Sequence, residues 1–306
     1  MLNNVIQRAE QDELVINWHI TEACNFACRY CYAKWDKPDV PRELIHDEAR
    51  SIQLLKELRT FFAVGNMTNP LSQKMQWRSI RLNLAGGEPL LYDRQVLRTV
   101  SLARELGFEV SIITNANRLN ASLVGELAPQ LSVLGVSLDS TDTVRNREIG
   151  RCDKQGQGLS VGSLAESIKI GRQLNPALRL KINTVVNALN FDEDMSKLIR
   201  DLDPEKWKVL RMLPTVTDEL NISDAQFAAF IERHAVLSPC VEDNVDMTKS
   251  YIMIDPQGRF FQNDMDQRGY RYSHPIIDIG AKEAFSQVSL SADRYLARYH
   301  AVAVTK

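Results

Sequence analysis

The hydrophobic and polar positions of this chain follow two alternating periods along its first 214 residues. Five segments, residues 43–63, 93–106, 121–128, 162–174 and 192–201, repeat apolar residues every three or four positions, which is typical of amphipathic helices. Six other segments have the composition and alternation of strands: LVINWHI (14–20), SIRLNLA (79–85), EVSIITN (109–115), SVLGVSLD (132–139), RLKINTVV (179–186) and WKVLRML (207–213). Strands that alternate with helices predict βαβ units and a parallel sheet. Residues 1–214 are therefore predicted to form an α/β fold, a partial (β/α)6 barrel.

The pattern changes after residue 214. Residues 223–237 read as a helix that begins after Ser223, a good N-cap residue. Residues 250–264 read as a hairpin that turns at Pro256 and Gly258. No linker separates these elements from the barrel, so residues 215–306 are predicted to be a C-terminal extension packed on it.

The strands have a polar face as well as an apolar one. In RLKINTVV the residues Arg179, Lys181 and Asn183 share one face, because side chains alternate along a strand. Arg81 and Asn17 lie on comparable faces of two other strands. The outer face of a barrel strand packs on helices and should be apolar. The polar face should therefore point inward. Unpaired charges in the interior are costly, and an anionic ligand would pair with them. The alternative is that these strands are half exposed and the charges face water.

Composition narrows the function only moderately. A formal net charge of −2 argues against a nucleic-acid-coating protein, which is usually basic. No apolar run reaches the roughly 18 residues of a membrane span, and the acidic start of the chain does not look like a signal peptide. Five cysteines in a long chain do not form a disulfide framework and favour a cytoplasmic location.

Three of the five cysteines, Cys24, Cys28 and Cys31, lie within eight positions directly after the first predicted strand. Three thiolates on one loop can bind one metal centre. A structural zinc site would need a fourth ligand, for which His19 and His46 are candidates. In a cubane iron–sulfur cluster, three thiolates would leave one iron open, as catalysis requires.

The spacing Cys-x3-Cys-x-aromatic-Cys, with Tyr30 as the aromatic residue, resembles the motif of radical S-adenosylmethionine (SAM) enzymes. The resemblance implies a 4Fe-4S cluster, with SAM bound to the open iron and cleaved to a 5′-deoxyadenosyl radical. The segment AGGEP (85–89) is similar to the motif that meets the SAM amino group. By the same resemblance, the residues implied in SAM binding include Gly86, Gly87, Glu88, Asn115 and Ser137.

The wider chain resembles the viperin family of antiviral radical SAM enzymes. The resemblance rests on NWHIT (17–21), VSLDSTDTVRNREIGR (136–151), LKINTVVNALNFDEDM (180–195), LDPEKWKVL (202–210) and SYIMID (250–255). It implies that a nucleoside triphosphate loses the hydrogen at C4′ and the 3′-hydroxyl, which gives a 3′-deoxy-3′,4′-didehydro chain terminator for phage defence. It further implies an electron donor such as flavodoxin or ferredoxin. Animal members begin with an amphipathic membrane helix, whereas this chain starts almost at its first strand, so no membrane anchor is expected.

The viperin resemblance also implies roles for individual residues. Arg151 matches the residue that meets the SAM carboxylate, and Tyr251 is a candidate donor that quenches the substrate radical. The residues matched to substrate binding are Asn17, Arg81, Lys181, Asn183, Lys206 and Lys208. Each lysine alone could be a solvated surface charge. Because Lys206 and Lys208 flank Trp207, their strand could also aim them away from Lys181.

The sequence departs from the viperin pattern in three places. Ala85 replaces a common serine, the loop after Arg151 is longer and richer in glycine and glutamine, and the tail RYHAVAVTK (298–306) lacks a terminal tryptophan. Two rival functions stay open. A radical SAM peptide modifier usually has further cysteines near its C-terminus, where this chain has only Cys240. A non-enzymatic iron–sulfur or zinc sensor leaves the inward basic face without a purpose.

Overall fold

The computed structural model describes residues 9–36, 42–264 and 267–300. The strands in this part of the chain are β1 (Ala9–His19), β2 (Met75–Ala85), β3 (Glu109–Thr114), β4 (Val133–Ser137), β5 (Arg179–Val186), β6 (Lys206–Arg211), β7 (Cys240–Glu242), β8 (Ile252–Ile254), β9 (Arg259–Asp264) and β10 (Gln267–Pro275). They form one sheet in the order β10-β9-β8-β1-β2-β3-β4-β5-β6-β7. Strands β1 to β6 pair in parallel with their neighbours in chain order, which confirms the predicted α/β partial barrel.

Helices separate the parallel strands. The α-helices in the described part of the chain are α1 (Glu48–Phe61), α2 (Asp93–Glu105), α3 (Ala121–Leu127), α4 (Thr143–Ile149), α5 (Val161–Leu174), α6 (Ser196–Leu202), α7 (Asp224–Arg233), α8 (Asn244–Met247), α9 (Ile276–Ile279), α10 (Ala281–Ser286) and α11 (Ala292–His300). All five helices predicted before residue 214 are confirmed. None of the helices in the described ranges is long and apolar enough to cross a membrane.

The starts of two strands and the presence of one helix differ from the prediction. Strands β1 and β2 begin at Ala9 and Met75, several residues earlier than predicted, and these first residues pair in register. Several of their side chains face water, so the apolar alternation that marks a buried strand is absent there. Helix α4 was not predicted; it begins after the capping side chain of Asp142 and ends at Gly150, whose φ is +88°.

Elements from the segment after residue 214 join both edges of the barrel sheet. Strand β7 pairs with β6 in parallel, β8 pairs with β1 in parallel, and β8 and β9 form the predicted hairpin. Ser223 caps α7 through the amide of Gln226, at 3.2 Å, as predicted. Helix α11 packs under β1, where the phenol of Tyr295 accepts a hydrogen bond of 2.8 Å from the amide of Val15. The boundary at residue 214 stays a prediction.

The core lies between the sheet and its helices. The apolar faces of the barrel strands, such as Leu82, Leu84, Leu180 and Ile182, are buried in a single large hydrophobic cluster. The polar faces of the same strands point the other way and line two adjoining cavities inside the barrel. The polar face therefore points inward as predicted, as Lys181 and Asn183 show, whereas Arg179 at the start of β5 is half exposed.

Candidate functional site

The three clustered cysteines lie on the loop that follows β1. The loop is held against the end of α4, because the amide of Ala27 donates to the carbonyl of Gly150 at 3.0 Å. A Cβ atom on Gly150 would lie 2.2 Å from the carbonyl oxygen of Ala27, so only glycine allows this close approach. The thiols of Cys24, Cys28 and Cys31 form no disulfide. The loop is thus shaped by its contact with α4 and leaves three free thiols.

Hydrogen-bond donors approach two of the three sulfur atoms. The amide of Phe26 lies 3.3 Å from Cys24 Sγ, and the side-chain nitrogen of Asn115 lies 3.9 Å from the same atom. Arg151 Nη1 lies 3.9 Å from Cys28 Sγ. Burial raises the pKa of Cys28 to about 12, and a bound metal would favour its thiolate form. Donors to thiolate sulfur stabilise and tune iron–sulfur clusters, and this donor set fits such a group.

The zinc alternative fits less well. Within the described ranges, no group of three or more His, Cys, Asp and Glu side chains is arranged to hold a single metal ion. Both ring nitrogens of His19 are occupied, at 3.2 Å from the carbonyl of Ile254 and 3.2 Å from the phenol of Tyr32. His46 lies 3.7 Å from Glu43 and packs its ring on Tyr92. In a cubane each thiolate binds a different iron, so the cysteines need not meet at one point.

The glycine loop after β2 packs on the cysteine loop. The amide of Gly87 donates to Thr21 at 2.7 Å, and a Cβ atom on Gly87 would lie 2.2 Å from the carbonyl oxygen of Ala23. Gly86 has a φ of +143°, and a Cβ atom there would lie 2.5 Å from the carbonyl oxygen of Thr21. In the structure the two glycines allow the backbone of the cysteine loop to approach. Their contact with SAM stays a prediction.

Glu88 is fully buried, and its part in binding SAM stays a prediction. Its carboxylate accepts hydrogen bonds from Thr114 Oγ1 at 2.6 Å, from the amide of Asn115 at 2.7 Å and from the amide of Leu90 at 2.9 Å. Burial raises the pKa of Glu88, and the three donors oppose this shift. The carboxylate therefore ties the glycine loop to the end of β3 and fixes Asn115 beside Cys24.

Tyr30 and Arg151 meet at the buried carboxylate of Asp139. The Tyr30 phenol donates to Asp139, and Arg151 Nη1 lies 3.5 Å from the same carboxylate. Arg151 also donates to the Tyr30 phenol at 3.1 Å and to the carbonyl of Ser137 at 2.6 Å. Asp139 thus holds an arginine beside Cys28, where it can meet a ligand carboxylate. The sequence reading missed Asp139, although it follows β4 inside the quoted VSLDST segment.

We call the cavity lined by Arg179 and Lys206 the lower cavity and the cavity lined by Tyr30 and Tyr32 the upper cavity. The lower cavity has a volume of about 460 Å³, and most of the charged side chains in its wall are cationic. Six line it: Arg81, Arg179, Lys181, Lys206, Lys208 and Arg298. Lys206 and Lys208 point into this cavity with Lys181, while Trp207 packs outward against Phe230 and His234. The alternative in which β6 aims its lysines away from Lys181 is therefore wrong.

Lys181 is the exception among these cations. Its ammonium group has no hydrogen bond and no ion pair with any residue in the described part of the chain. Burial lowers the pKa of Lys181 well below its usual value, and the neighbouring charges of Lys208, Lys206 and Arg81 lower it further. A nearby Asn183 presents a buried amide oxygen that also has no partner among the described residues. Lys181 lines both cavities and Asn183 lines the upper cavity, so a polar ligand is the partner that both groups fit.

Lys208 and Tyr251 share the buried carboxylate of Glu242. The ammonium of Lys208 lies 2.5 Å from Glu242 Oε1, and the phenol of Tyr251 donates to Oε2 of the same group. Arg298, from α11, lies 3.0 Å from Glu242 and stacks on the ring of Tyr251. Burial raises the pKa of Glu242, but Lys208 and Arg298 outweigh burial and lower it to about 2. Glu242 therefore stays ionised and neutralises part of the cavity's charge.

Arg81 is also neutralised, by an acid that the sequence did not reveal. Its Nε atom donates to Glu13 Oε2 at 3.0 Å, and its Nη1 atom donates to Ser111 at 3.0 Å. Above it, the amides of Asn83 and Asn17 bond to each other at 3.0 Å. Glu13 and Glu242 lie far in the sequence from the residues they neutralise, and each has other acidic residues beside it, so no local pattern could have indicated their roles.

The upper cavity connects these cations to the cysteine loop. Its walls include Asn17, Asn83, Asn183, Tyr30 and Tyr32. Lys181, Lys208 and Tyr251 line both cavities, so the two spaces share a wall. A ligand with an anionic tail can therefore place its tail among the lysines and its other end near the cysteines.

The fold and the cysteine loop are those of a radical SAM barrel. The family model described as the Radical SAM superfamily matches residues 18–155. A solved structure described as "Native anSMEcpe with bound AdoMet and Kp18Cys peptide" superposes with a TM-score of 0.63 at 14% identity, over 94% of this chain and 82% of that one. At this identity the likeness shows the fold alone.

Relatives with high coverage define the family within that class. The chain is 38% identical to an S-adenosylmethionine-dependent nucleotide dehydratase of Pseudoalteromonas ulvae, over 95% of this chain and 94% of the relative. It is 30% identical to the S-adenosylmethionine-dependent nucleotide dehydratase RSAD2 of Oncorhynchus mykiss, over 97% of this chain and 82% of the relative. The chain belongs to the family of S-adenosylmethionine-dependent nucleotide dehydratases, the viperins.

Proposed function

We propose that this protein is a radical SAM enzyme that dehydrates a nucleoside triphosphate to its 3′-deoxy-3′,4′-didehydro form. Family membership supports the reaction class, and the cationic cavity supports a triphosphate substrate. The product lacks the hydroxyl that a polymerase extends, so it would terminate viral chains in antiviral defence.

The cysteine loop is proposed to hold a 4Fe-4S cluster through Cys24, Cys28 and Cys31. When bound, the cluster and SAM supply the 5′-deoxyadenosyl radical chemistry that removes the hydrogen atom from C4′ of the ribose. Arg151 lies beside Cys28 and is proposed to orient the SAM carboxylate. Asn115 lies beside Cys24, where it can meet the ribose of SAM.

The remaining steps need a proton and an electron. Departure of the 3′-hydroxyl as water from the C4′ radical consumes one of each and leaves a C3′–C4′ double bond. Tyr251 lines both cavities, and its phenol is the proposed donor of this proton and electron. A low-potential protein such as flavodoxin or ferredoxin is proposed to restore the electron.

The observation that carries the proposal is the unpartnered ammonium of Lys181 in a cavity with five further cations. A nucleoside triphosphate brings about four negative charges, and phosphate oxygens accept hydrogen bonds from lysine and arginine. Without such a ligand, burial and like charge act together against the charged form of Lys181. A triphosphate removes both penalties at once.

The test is anaerobic reconstitution followed by side-by-side assays with CTP, UTP, GTP and ATP. We expect at least one nucleotide to stimulate formation of 5′-deoxyadenosine together with a nucleotide 18 Da lighter than the substrate, because one water is lost. Cys28→Ala should remove both the cluster absorbance and the activity, whereas Cys152→Ala should keep both. Lys181→Ala should keep the cluster and raise KM for the nucleotide, whereas Lys197→Ala, a change on the exposed surface, should not. If no triphosphate stimulates SAM cleavage, the assignment is wrong.

A further inference from the structure

The floor of the cationic cavity contains a carboxylate that faces the site proposed for the phosphates. Glu13 lies two residues before Val15 on the inner face of β1, and both line the cavity. Its Oε2 atom accepts from Arg81 Nε at 3.0 Å, and its Oε1 atom accepts from Arg179 Nη2 at 3.0 Å. Arg81 lies on the neighbouring strand β2, whereas Arg179 lies on β5 across the barrel.

This arrangement links opposite walls of the barrel at its amino-terminal end. Arg179 and Lys181 are successive inward positions of β5, so Arg179 lies about 7 Å farther from the cysteine end than Lys181 does. The side chain of Glu13 is one-fifth exposed and that of Arg179 half exposed, so the link lies close to solvent. At this end of the cavity, whose wall also includes Asp12 and Glu205, an elongated anion would meet a carboxylate whose two arginines are already paired.

We infer that Glu13 sets the number of phosphates the cavity accepts, because its carboxylate closes the floor to a phosphate beyond the third. This inference rests on the proposed function. A chain of three phosphates ends above Glu13, next to Lys181 and its neighbouring lysines. A fourth phosphate would come close to the carboxylate, and like charges brought together in a partly buried site repel strongly. The same carboxylate withholds Arg81 and Arg179 from the longer anion.

The test measures the binding of inorganic polyphosphates, which contain no base and no sugar. Calorimetric titrations of the anaerobically reconstituted enzyme with pyrophosphate, tripolyphosphate and tetrapolyphosphate compare the wild type with Glu13→Gln at one ionic strength. We expect the wild type to bind tripolyphosphate about tenfold more tightly than tetrapolyphosphate, which is the ratio for a free-energy difference of about 1.4 kcal/mol. Glu13→Gln should bind the two with similar affinity, because the amide removes the repulsion and releases two arginines.

Glu10→Gln is the matched control. It removes the same charge from the same strand, but Glu10 is about two-thirds exposed and pairs with the exposed Arg78. It should change the affinities for all three anions alike and leave the selectivity for length unchanged. Arg179→Gln provides a second test of opposite sign, because it leaves Glu13 with one partner fewer and should increase the discrimination against tetrapolyphosphate. Cluster absorbance and the melting temperature report whether each variant is folded and loaded.

Two outcomes would overturn the inference and are distinguishable. If Glu13→Gln changes all three affinities by the same factor as Glu10→Gln, Glu13 does not read phosphate number, although the cavity still binds triphosphate. If the wild type binds none of the polyphosphates, or binds tripolyphosphate no better than Lys181→Ala does, the proposed anion site fails as well.

Discussion

Replacement of Glu242 by glutamine should destabilise the protein far more than loss of an ordinary surface charge. The carboxylate of Glu242 is 3% exposed and lies 2.5 Å from Lys208 and 3.0 Å from Arg298. Glutamine keeps the shape and a hydrogen-bond acceptor for Tyr251 but removes the charge. Two buried cations then share no counter-charge, and loss of one partner of a buried pair typically costs about 3–5 kcal/mol.

The pKa of Glu242 gives a second route to the magnitude. The pKa falls from 4.5 to about 2 on folding. Since one pKa unit is about 1.4 kcal/mol, the charged form of Glu242 contributes about 3 kcal/mol at neutral pH. A carboxyl group with a lowered folded pKa stabilises the protein above its unfolded pKa and loses this effect as the pH falls through the folded one. The contribution should thus be about 3 kcal/mol at pH 7 and about half of that at pH 3.

The assay is urea denaturation of wild type and Glu242→Gln, followed by circular dichroism at several pH values. We expect a loss of about 3 kcal/mol at pH 7, or roughly 5 °C in melting temperature for a chain of 306 residues. The control is Asp201→Asn, which breaks the exposed helix pair with Lys197 and should cost below about 0.5 kcal/mol. A loss under about 1 kcal/mol, or one independent of pH, would refute the view that Glu242 is the counter-charge.

Two further predictions concern the cavity and the loops that frame it. Lys181→Met should raise the free energy of unfolding of the ligand-free protein by about 1–3 kcal/mol, because it removes a largely buried charge that has no ion-pair partner among the described residues. Its pKa is lowered on folding, so this gain should shrink as the pH rises toward 10.5, and destabilisation in urea at pH 7 would contradict the argument. Gly87→Ala should lower stability by more than about 2 kcal/mol and reduce cluster incorporation, since its Cβ atom would overlap the cysteine loop. Gly162→Ala, on a helix with open space around its Cβ position, should be neutral or stabilising in the same denaturation and iron-content measurements.

The local sequence pattern predicts the barrel, but it cannot predict which carboxylates neutralise the cations of the cavity. Strand alternation places Lys181 and Asn183 inward, because side-chain direction depends only on neighbours along the chain. The cysteine spacing is likewise local. The counter-charge of Lys208 comes from Glu242, 34 positions later, on a three-residue strand at the edge of the sheet. Such pairing is decided by tertiary topology, and nothing in the local sequence around Glu242 distinguishes it from a solvated glutamate.

The glycine motif shows a second limit of the same kind. Gly86 and Gly87 signal that some backbone must approach closely, but the sequence does not say which backbone. The structure identifies the cysteine loop as that backbone. A substitution at Gly87 would therefore displace the backbone of the cysteine loop, whatever its effect on a ligand.

The cavity divides its cations into two groups with different consequences for binding. Lys208 and Arg81 have carboxylate partners in Glu242 and Glu13, so they are held in place without a ligand. Lys181 has no carboxylate partner among the residues that the structure describes, so a bound phosphate would supply its partner. If every cation were open, mutual repulsion would weaken the fold, and any polyanion would bind through net charge alone. If every cation had a protein partner, a phosphate would gain little binding free energy from the cavity. Among the described residues Lys181 has no such partner while its neighbours do, so binding is most favourable where a phosphate oxygen reaches Lys181. The site is then selective for the position of the phosphate as well as for its charge.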